Sequence, residues 1–266
     1  MKLLYPLAKR FIAGYDFKSS RSAIDKLLSC GFQVTVDYVG EMSTTIEDVQ
    51  NAYGEYIKVL DAYSNIDISI KPSQLGLLIN SSHAKGLCTN VLTQITKHAQ
   101  RTNNTIRLDM EDSRVTEDTV NLAVQCNVGC ALQANHPDTL THMHTLLTHN
   151  IPIRLVKGAY KEKISDIKDI RDYFLLYANI EGDITVATHD KILLDQLEHH
   201  NKYEFLYGIR RDLQNKLLAQ GKTVRIYVPY GENWLPYTIR RLREWKNLRF
   251  VIGNMFKEFV NNSKDV

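Results

Sequence analysis

Residues 105–135 read TIRLDMEDSRVTEDTVNLAVQCNVGCALQAN. In residues 105–111 the apolar Ile106, Leu108 and Met110 alternate with Arg107, Asp109 and Glu111, which is the period of a strand. Residues 117–125 read as a helix, and residues 128–135 return to a short apolar run. Strands alternating with helices imply parallel pairing, because a parallel neighbour needs a crossover connection. Working outward, the same kind of run recurs at 32–40, 66–71, 151–158, 184–190, 203–208 and 223–230. Helical stretches lie between them at 45–62, 90–102, 137–148 and 191–199, and Asp138 to Leu147 shows the apolar spacing of a one-sided helix. Eight strand–helix units in 266 residues favour a closed α/β (β/α)8 barrel of TIM type, one domain spanning residues 1–266. An open doubly wound sheet is the alternative. Beyond the last strand, residues 234–244 read as an unusually basic helix and 250–262 as another helical segment.

Composition narrows the partners. The net charge is +3, from 33 basic and 30 acidic residues, too balanced for a nucleic-acid-binding surface, so no nucleic acid is expected. No apolar run reaches the 18 or more residues of a membrane span. The N-terminal MKLLYPLAKR is cut short by Lys9 and Arg10, so an amphipathic first helix is expected instead of a signal peptide. Cys30, Cys88, Cys126 and Cys130 form no Cys-x-x-Cys pair and are expected as buried free thiols in a reducing cytoplasm. With no His or Cys near Cys126 and Cys130 at ligand spacing, no zinc site is expected.

In a barrel, the C-terminal strand ends carry the chemistry. Here those ends hold Lys71 on the second strand, Arg107, Asp109 and Glu111 on the third, and Gln133 on the fourth. Arg154 and Lys157 follow on the fifth, Thr188 and His189 on the sixth, Glu204 on the seventh, and Arg225 and Tyr227 on the eighth. Charges facing a barrel interior are costly unless paired. The set therefore reads either as an ion-pair network or as a site for a charged ligand. Lys71, Arg154 and Lys157, with Arg240 and Arg241 on the terminal helix, suit an anion such as a carboxylate or phosphate. Neither a Gly-x-Gly-x-x-Gly nor a Walker motif is present, so a dinucleotide would have to bind outside the Rossmann arrangement.

These segments resemble proline dehydrogenase. The resemblance rests on SIKPSQLG at 69–76, RLDMED at 107–112, LQAN at 132–135 and RLVKGAY at 154–160. It continues through ATHD at 187–190, FLYG at 205–208, RIYVPYG at 225–231 and YTIRRLRE at 237–244. The motifs run in the family's order across roughly residues 32 to 245. The resemblance implies an FAD-dependent (β/α)8 barrel that oxidises L-proline to 1-pyrroline-5-carboxylate by hydride transfer, with a C-terminal helix capping the site. It implies that Lys71, Asp109, Tyr227, Tyr237, Arg240 and Arg241 surround the substrate. Met110, Gln133, Arg154, Lys157, Gly158, Ala159, Thr188 and His189 would contact FAD, with Glu244 near the cofactor end of the helix. Glu41 would pair with the first arginine of that helix when the site is empty. The sequence departs from the family pattern at Asn135, where tyrosine is usual, at Lys161 in place of tryptophan, and at Glu204 in place of glutamine.

The expected catalytic pair is Asp109 and Arg154. Asp109 would orient Lys71 or Arg154 and accept the imino proton; structural pairing with Arg107 is its alternative. Arg154 and Lys157 would stabilise the negative charge that flavin gains on reduction. Arg240 and Arg241 could converge on one carboxylate and act as a lid. Tyr227 and Tyr237 would pack on the ring methylenes and favour proline over 4-hydroxyproline. His189 is expected at the cofactor, and His199 and His200 in solvent. The rival reactions are a Schiff-base enzyme using Lys157 and a non-catalytic binding barrel. A quinone-type acceptor is expected. The basic Lys9, Arg10, Lys18 and Arg21 read either as a peripheral contact with the inner face of the membrane or as a solvated helix.

Overall fold

The computed structural model describes residues 10–40, 42–160, 162, 164–235 and 237–239. Its eight strands are β1 (Gln33–Tyr38), β2 (Asp67–Ile70), β3 (Thr105–Leu108), β4 (Gly129–Gln133), β5 (Ile153–Val156), β6 (Ile184–Ala187), β7 (Lys202–Leu206) and β8 (Thr223–Tyr230). Every neighbouring pair is parallel and β8 pairs with β1, which closes the barrel. The open sheet is thereby excluded. The helices are α1 (Phe17–Ser29), α2 (Ile46–Ala62), α3 (Ala84–Arg101), α4 (Thr116–Cys126), α5 (Thr139–Thr148), α6 (Ile167–Ala178), α7 (Lys191–Gln196) and α8 (Arg211–Ala219).

Strict alternation along the strands divides the chain's chemistry between two compartments. Outward-facing Val36, Ile68, Ile70, Leu108, Leu132, Leu155, Val186, Phe205 and Ile226 are buried against the helices and form one core cluster. The inward face carries the strands' charged and polar groups: Asp37, Asp67, Ser69, Arg107, Gln133, Arg154, Glu204 and Arg225. Asp67 on β2 lies 3.7 Å from Arg154 on β5 and 3.9 Å from Arg225 on β8, distances that only groups inside the barrel can reach. Parallel strands buried on both faces usually read as continuous apolar runs. These alternate because the barrel's interior holds charge.

Local chemistry sets the connections. Thr45 and Asp48 form a reciprocal capping box at the start of α2, satisfying backbone donors that the first turn leaves open. Four of the turns from helix into strand pass through left-handed asparagines, Asn65, Asn103, Asn127 and Asn150, with φ between 51° and 61°. Asparagine tolerates that conformation better than most residues.

All eight strands lie where the alternation places them, but most are shorter. Residues 109–111 leave the sheet after Leu108, and Glu111 turns to accept bonds from the backbone and hydroxyl of Ser73. The helix expected at 90–102 begins earlier, at Ala84. Helices α1, α6 and α8 add to those read from the sequence. The thiols are only partly as expected: Cys88 and Cys130 are buried, Cys126 is half-buried and Cys30 is exposed just past the end of α1. His199 is exposed as expected, with Nε2 meeting Asn179, whereas His200 is half-buried and its Nε2 has no hydrogen-bond partner among the described residues. Glu41, Lys161, Arg240, Arg241, Glu244, the expected first helix at 1–10 and the 250–262 segment lie outside the described residues, as does most of 234–244.

Candidate active site

Five strands, β1, β2, β3, β5 and β8, deliver one hydrogen-bonded set to the floor of the C-terminal mouth. Asp109, just past β3, stands at its centre. Its Oδ1 accepts from Arg154 Nη1 at 2.7 Å, and its Oδ2 accepts from the Tyr227 hydroxyl at 2.6 Å and from Lys71 Nζ at 3.3 Å. Ser69 donates to the same carboxylate. Lys71 also donates to Asp37 Oδ1 at 3.0 Å. Burial opposes the charge on Asp109, yet the cations of Lys71 and Arg154 hold its carboxyl down at about 2. Asp37 is pushed the other way, chiefly by its complete burial.

Arg154 extends the set. Its Nε donates to Glu204 Oε2 at 2.8 Å, and its guanidinium carbon sits 5.1 Å from the centre of the Tyr227 ring. Both Arg154 and Glu204 are 3 % exposed. Removing one partner from such a buried ionic set costs about 3–5 kcal/mol, because the other charge is then left uncompensated.

Above this floor opens a cavity of about 730 Å³, within the range of small-molecule and cofactor sites. Met110, Val156, Ala187, Leu206 and Tyr227 give it apolar walls, while Arg154, Lys157 and Thr188 supply polar groups. One wall is the turn after β5. Gln133 holds that turn: its Oε1 accepts from the Ala159 N–H at 3.0 Å and its Nε2 donates to the Glu111 carbonyl at 3.2 Å. Gly158 has φ 122°, and a Cβ there would fall 1.9 Å from Asn135 Oδ1, so the turn can close only with glycine. Asn135 Nδ2 in turn donates to the Tyr160 carbonyl at 2.9 Å.

The neighbouring wall is the turn into α7. Asp190 caps that helix through the Ile192 N–H and gathers two cations, Lys157 at 3.1 Å and Arg171 of α6 at 2.9 Å. Thr188 Oγ1 accepts from the Asp190 N–H at 3.2 Å. His189 Nε2 accepts from the Leu206 N–H at 3.0 Å, which ties the turn to β7.

A family model described as proline dehydrogenase matches residues 20–173, more than half of the chain. The chain belongs to the proline dehydrogenase family. It is 33 % identical over 279 residues to proline dehydrogenase 2 of Bacillus subtilis (strain 168), covering 94 % of this chain and 91 % of that one. Against the proline dehydrogenase of Deinococcus radiodurans it is 31 % identical over 284 residues, covering 96 % and 91 %. Proline utilization A from Corynebacterium freiburgense superposes with a TM-score of 0.78 at 19 % identity, over 91 % of this chain. The match spans 31 % of that longer chain, and at this identity it speaks for the fold alone.

Within this proline dehydrogenase barrel, every described residue singled out from the sequence as a site residue lines the one cavity: Lys71, Asp109, Met110, Gln133, Arg154, Lys157, Gly158, Ala159, Thr188, His189, Tyr227 and Tyr237. Among the strand-end residues named from the sequence, Arg107, Glu111 and Arg225 do not line it. Arg107 bonds Asp67 through Nε at 3.0 Å, and Arg225 bonds Gln33 at 2.6 Å, so both sit towards the N-terminal end. There they line a separate cavity of about 410 Å³ whose described cations are each matched by an acid or an amide. The expected alternative partner of Asp109, Arg107, is thus engaged elsewhere. Lys157, the Schiff-base candidate, is held by Asp190 rather than in an apolar pocket.

Sequence reasoning missed Asp37, Asp190 and Arg171. Asp37 was visible as the polar member of an inward-facing alternation, and Asp190 as an N-cap before a helix. Arg171 carries no local signal, because it reaches the site from the side of a helix.

The polar and apolar groups present fit a flavin. A ring needs apolar walls, its polar edge needs donors, and the charge it gains on reduction needs nearby cations. The cavity offers all three, and Arg154 Nη2 is buried with no hydrogen-bond partner among the described residues.

Proposed function

We propose that this chain oxidises L-proline to 1-pyrroline-5-carboxylate with FAD seated in the C-terminal mouth, and that electrons pass on to a quinone-type acceptor. Proline oxidation with a flavin follows from family membership; the assignment of FAD, of the acceptor and of individual roles is our reading. The observation that carries it is the joining of Lys71, Asp109, Arg154 and Tyr227 into one buried set at the floor of a cofactor-sized cavity.

A bound flavin would supply the hydride acceptor for carbon 5 of the proline ring. The protein's own groups do the rest. Lys71, with Arg240 and Arg241, receives the substrate carboxylate, since a cation fixed between two aspartates is already oriented before substrate arrives. The Tyr227 ring offers an apolar face to the methylenes, its hydroxyl anchored on Asp109. Asp109 fixes Lys71, Arg154 and Tyr227 and provides a counter-charge for the substrate's ammonium. A carboxyl held near 2 is a weak proton acceptor, which favours this positioning role over that of general base. Arg154 and Lys157 place positive charge where reduction deposits negative charge. Gln133, Gly158 and Ala159 shape the wall, and Met110, Thr188, His189 and Glu244 complete the cofactor's surroundings.

The test is a visible spectrum of the purified chain. The expected preparation is yellow, with flavin absorbance that bleaches on adding proline under anaerobic conditions. A colourless protein that takes up no added flavin, or a spectrum indifferent to proline, overturns the reading.

A further inference from the structure

Three carboxylates surround the Arg154 guanidinium. Nε donates to Glu204 Oε2 at 2.8 Å, Nη1 to Asp109 Oδ1 at 2.7 Å, and Nη2 lies 3.7 Å from Asp67 Oδ2. Two of the three have other duties. Asp109 also holds Lys71 and Tyr227, and Asp67 holds Arg107 and Thr105. Among the described residues, Glu204 engages Arg154 alone. It nevertheless lines the same cavity as Arg154, Lys157 and His189, and its Oε1 is buried without a hydrogen-bond partner. A glutamine would satisfy the Arg154 Nε–H equally well, so the hydrogen bond does not explain a full negative charge at this depth.

We propose that Glu204 is a positioning residue that lowers the reduction potential of the bound flavin by cancelling part of the positive charge of Arg154. The inference rests on the reading above that Arg154 lies against the flavin. Reduction places negative charge on the ring, and a fixed cation favours it while a fixed anion opposes it. With the Arg154 and Glu204 side chains 4 % and 2 % exposed, little water stands between them to screen the effect. The inward-facing set is also balanced: Lys71, Arg107, Arg154 and Arg225 stand against Asp37, Asp67, Asp109 and Glu204. Removing one acid therefore leaves a net positive charge beneath the ring. A lower potential weakens the flavin as an oxidant of proline and strengthens it as a donor to the next acceptor. Glu204 thus divides the driving force between the two half-reactions.

Glu204→Gln separates charge from shape, because the amide oxygen can still accept from Arg154 Nε. In the full-length, flavin-loaded protein, the midpoint potential is measured by equilibrium titration against redox dyes. Glu204→Gln is expected to raise it by a tenfold or greater change in the redox equilibrium, about 30 mV for a two-electron couple. Reduction by proline should quicken and reoxidation slow, while proline affinity for the oxidised enzyme stays close to the parent's. Arg154→Met serves as the control. If Arg154→Met lowers the potential and Glu204→Gln leaves it unchanged, the inference on Glu204 is overturned and the proposed function stands. If Arg154→Met also leaves it unchanged, the placement of Arg154 beside flavin fails first. Should Glu204→Gln not retain flavin, Glu204→Met, also uncharged and of similar length, gives the same reading. Failure of both to hold flavin assigns Glu204 to the architecture of the site and overturns the proposal.

Discussion

At the scale of single residues, Arg154 and Asp109 make opposite predictions. Arg154→Met keeps the length of the side chain and removes its charge, so flavin reduction by proline should slow on the order of a hundredfold, the usual cost of losing one preorganised charge-stabilising group. Stopped-flow reduction measures this, and an unchanged rate would remove Arg154 from the chemistry. Asp109 bears on stability as well. Lys71 and Arg154 hold its folded carboxyl down at about 2, below the usual carboxylate range, so its ionised form is favoured in the folded state. A depressed carboxylate contributes stability that is complete above the unfolded pKa and is lost as pH falls through the folded one. The difference amounts to about 2 kcal/mol. Parent protein should therefore lose that increment between about pH 4 and pH 2, and Asp109→Asn should show a shallower loss over the same interval. Chemical denaturation at stepped pH reads the two slopes, and parallel slopes would contradict the assignment. Gly158 makes a steric prediction. With φ 122° and Asn135 Oδ1 1.9 Å from the place of a Cβ, Gly158→Ala should distort the turn after β5 and lower the flavin-to-protein ratio of the purified enzyme.

At the scale of elements, the turn into α7 does two things at once. Asp190 caps the helix and ties Lys157 of the β5 turn to Arg171 of α6, so one carboxylate holds together three elements around the mouth. Asp190→Ala should cost about 1 kcal/mol from the lost cap alone, and release of the two cations should also weaken flavin binding. A variant of unaltered flavin affinity would show that Lys157 needs no such anchor. The eight strands were legible because each is a short apolar or alternating run set between helical stretches, and that pattern is a local property. Height along the barrel axis was not. Arg107 and Asp109 share a face, yet one pairs with Asp67 below and the other meets Lys71 at the rim. Arg225 likewise falls low because its register sets it opposite Gln33. Register is decided by strand stagger across the whole sheet, which no single segment encodes. Partners such as Arg171 are hidden for the same reason: a helix flank becomes a site wall only after the barrel closes.

At the scale of the molecule, the barrel separates its duties by compartment: apolar packing outside the sheet, ion pairs inside it, and the reaction at one mouth. The quinone-type acceptor proposed above would dissolve in lipid, and reaching it would bring the mouth to a bilayer. No described helix is long and apolar enough to cross one. On α1, Lys18 and Arg21 are exposed, and Tyr15 just before it is half exposed. Basic residues near an anionic surface contribute about 1 kcal/mol each, and salt screens that attraction within about 10 Å at 0.1 M. The protein should therefore sediment with vesicles containing phosphatidylglycerol at low salt, be released at about 1 M salt, where the screening length falls to about 3 Å, and ignore pure phosphatidylcholine. Reversing both charges, Lys18→Glu with Arg21→Glu, should weaken the association about tenfold or more while turnover with a soluble dye acceptor is unchanged. Equal binding to neutral and anionic vesicles, or indifference to the double reversal, would place any membrane contact elsewhere on the surface.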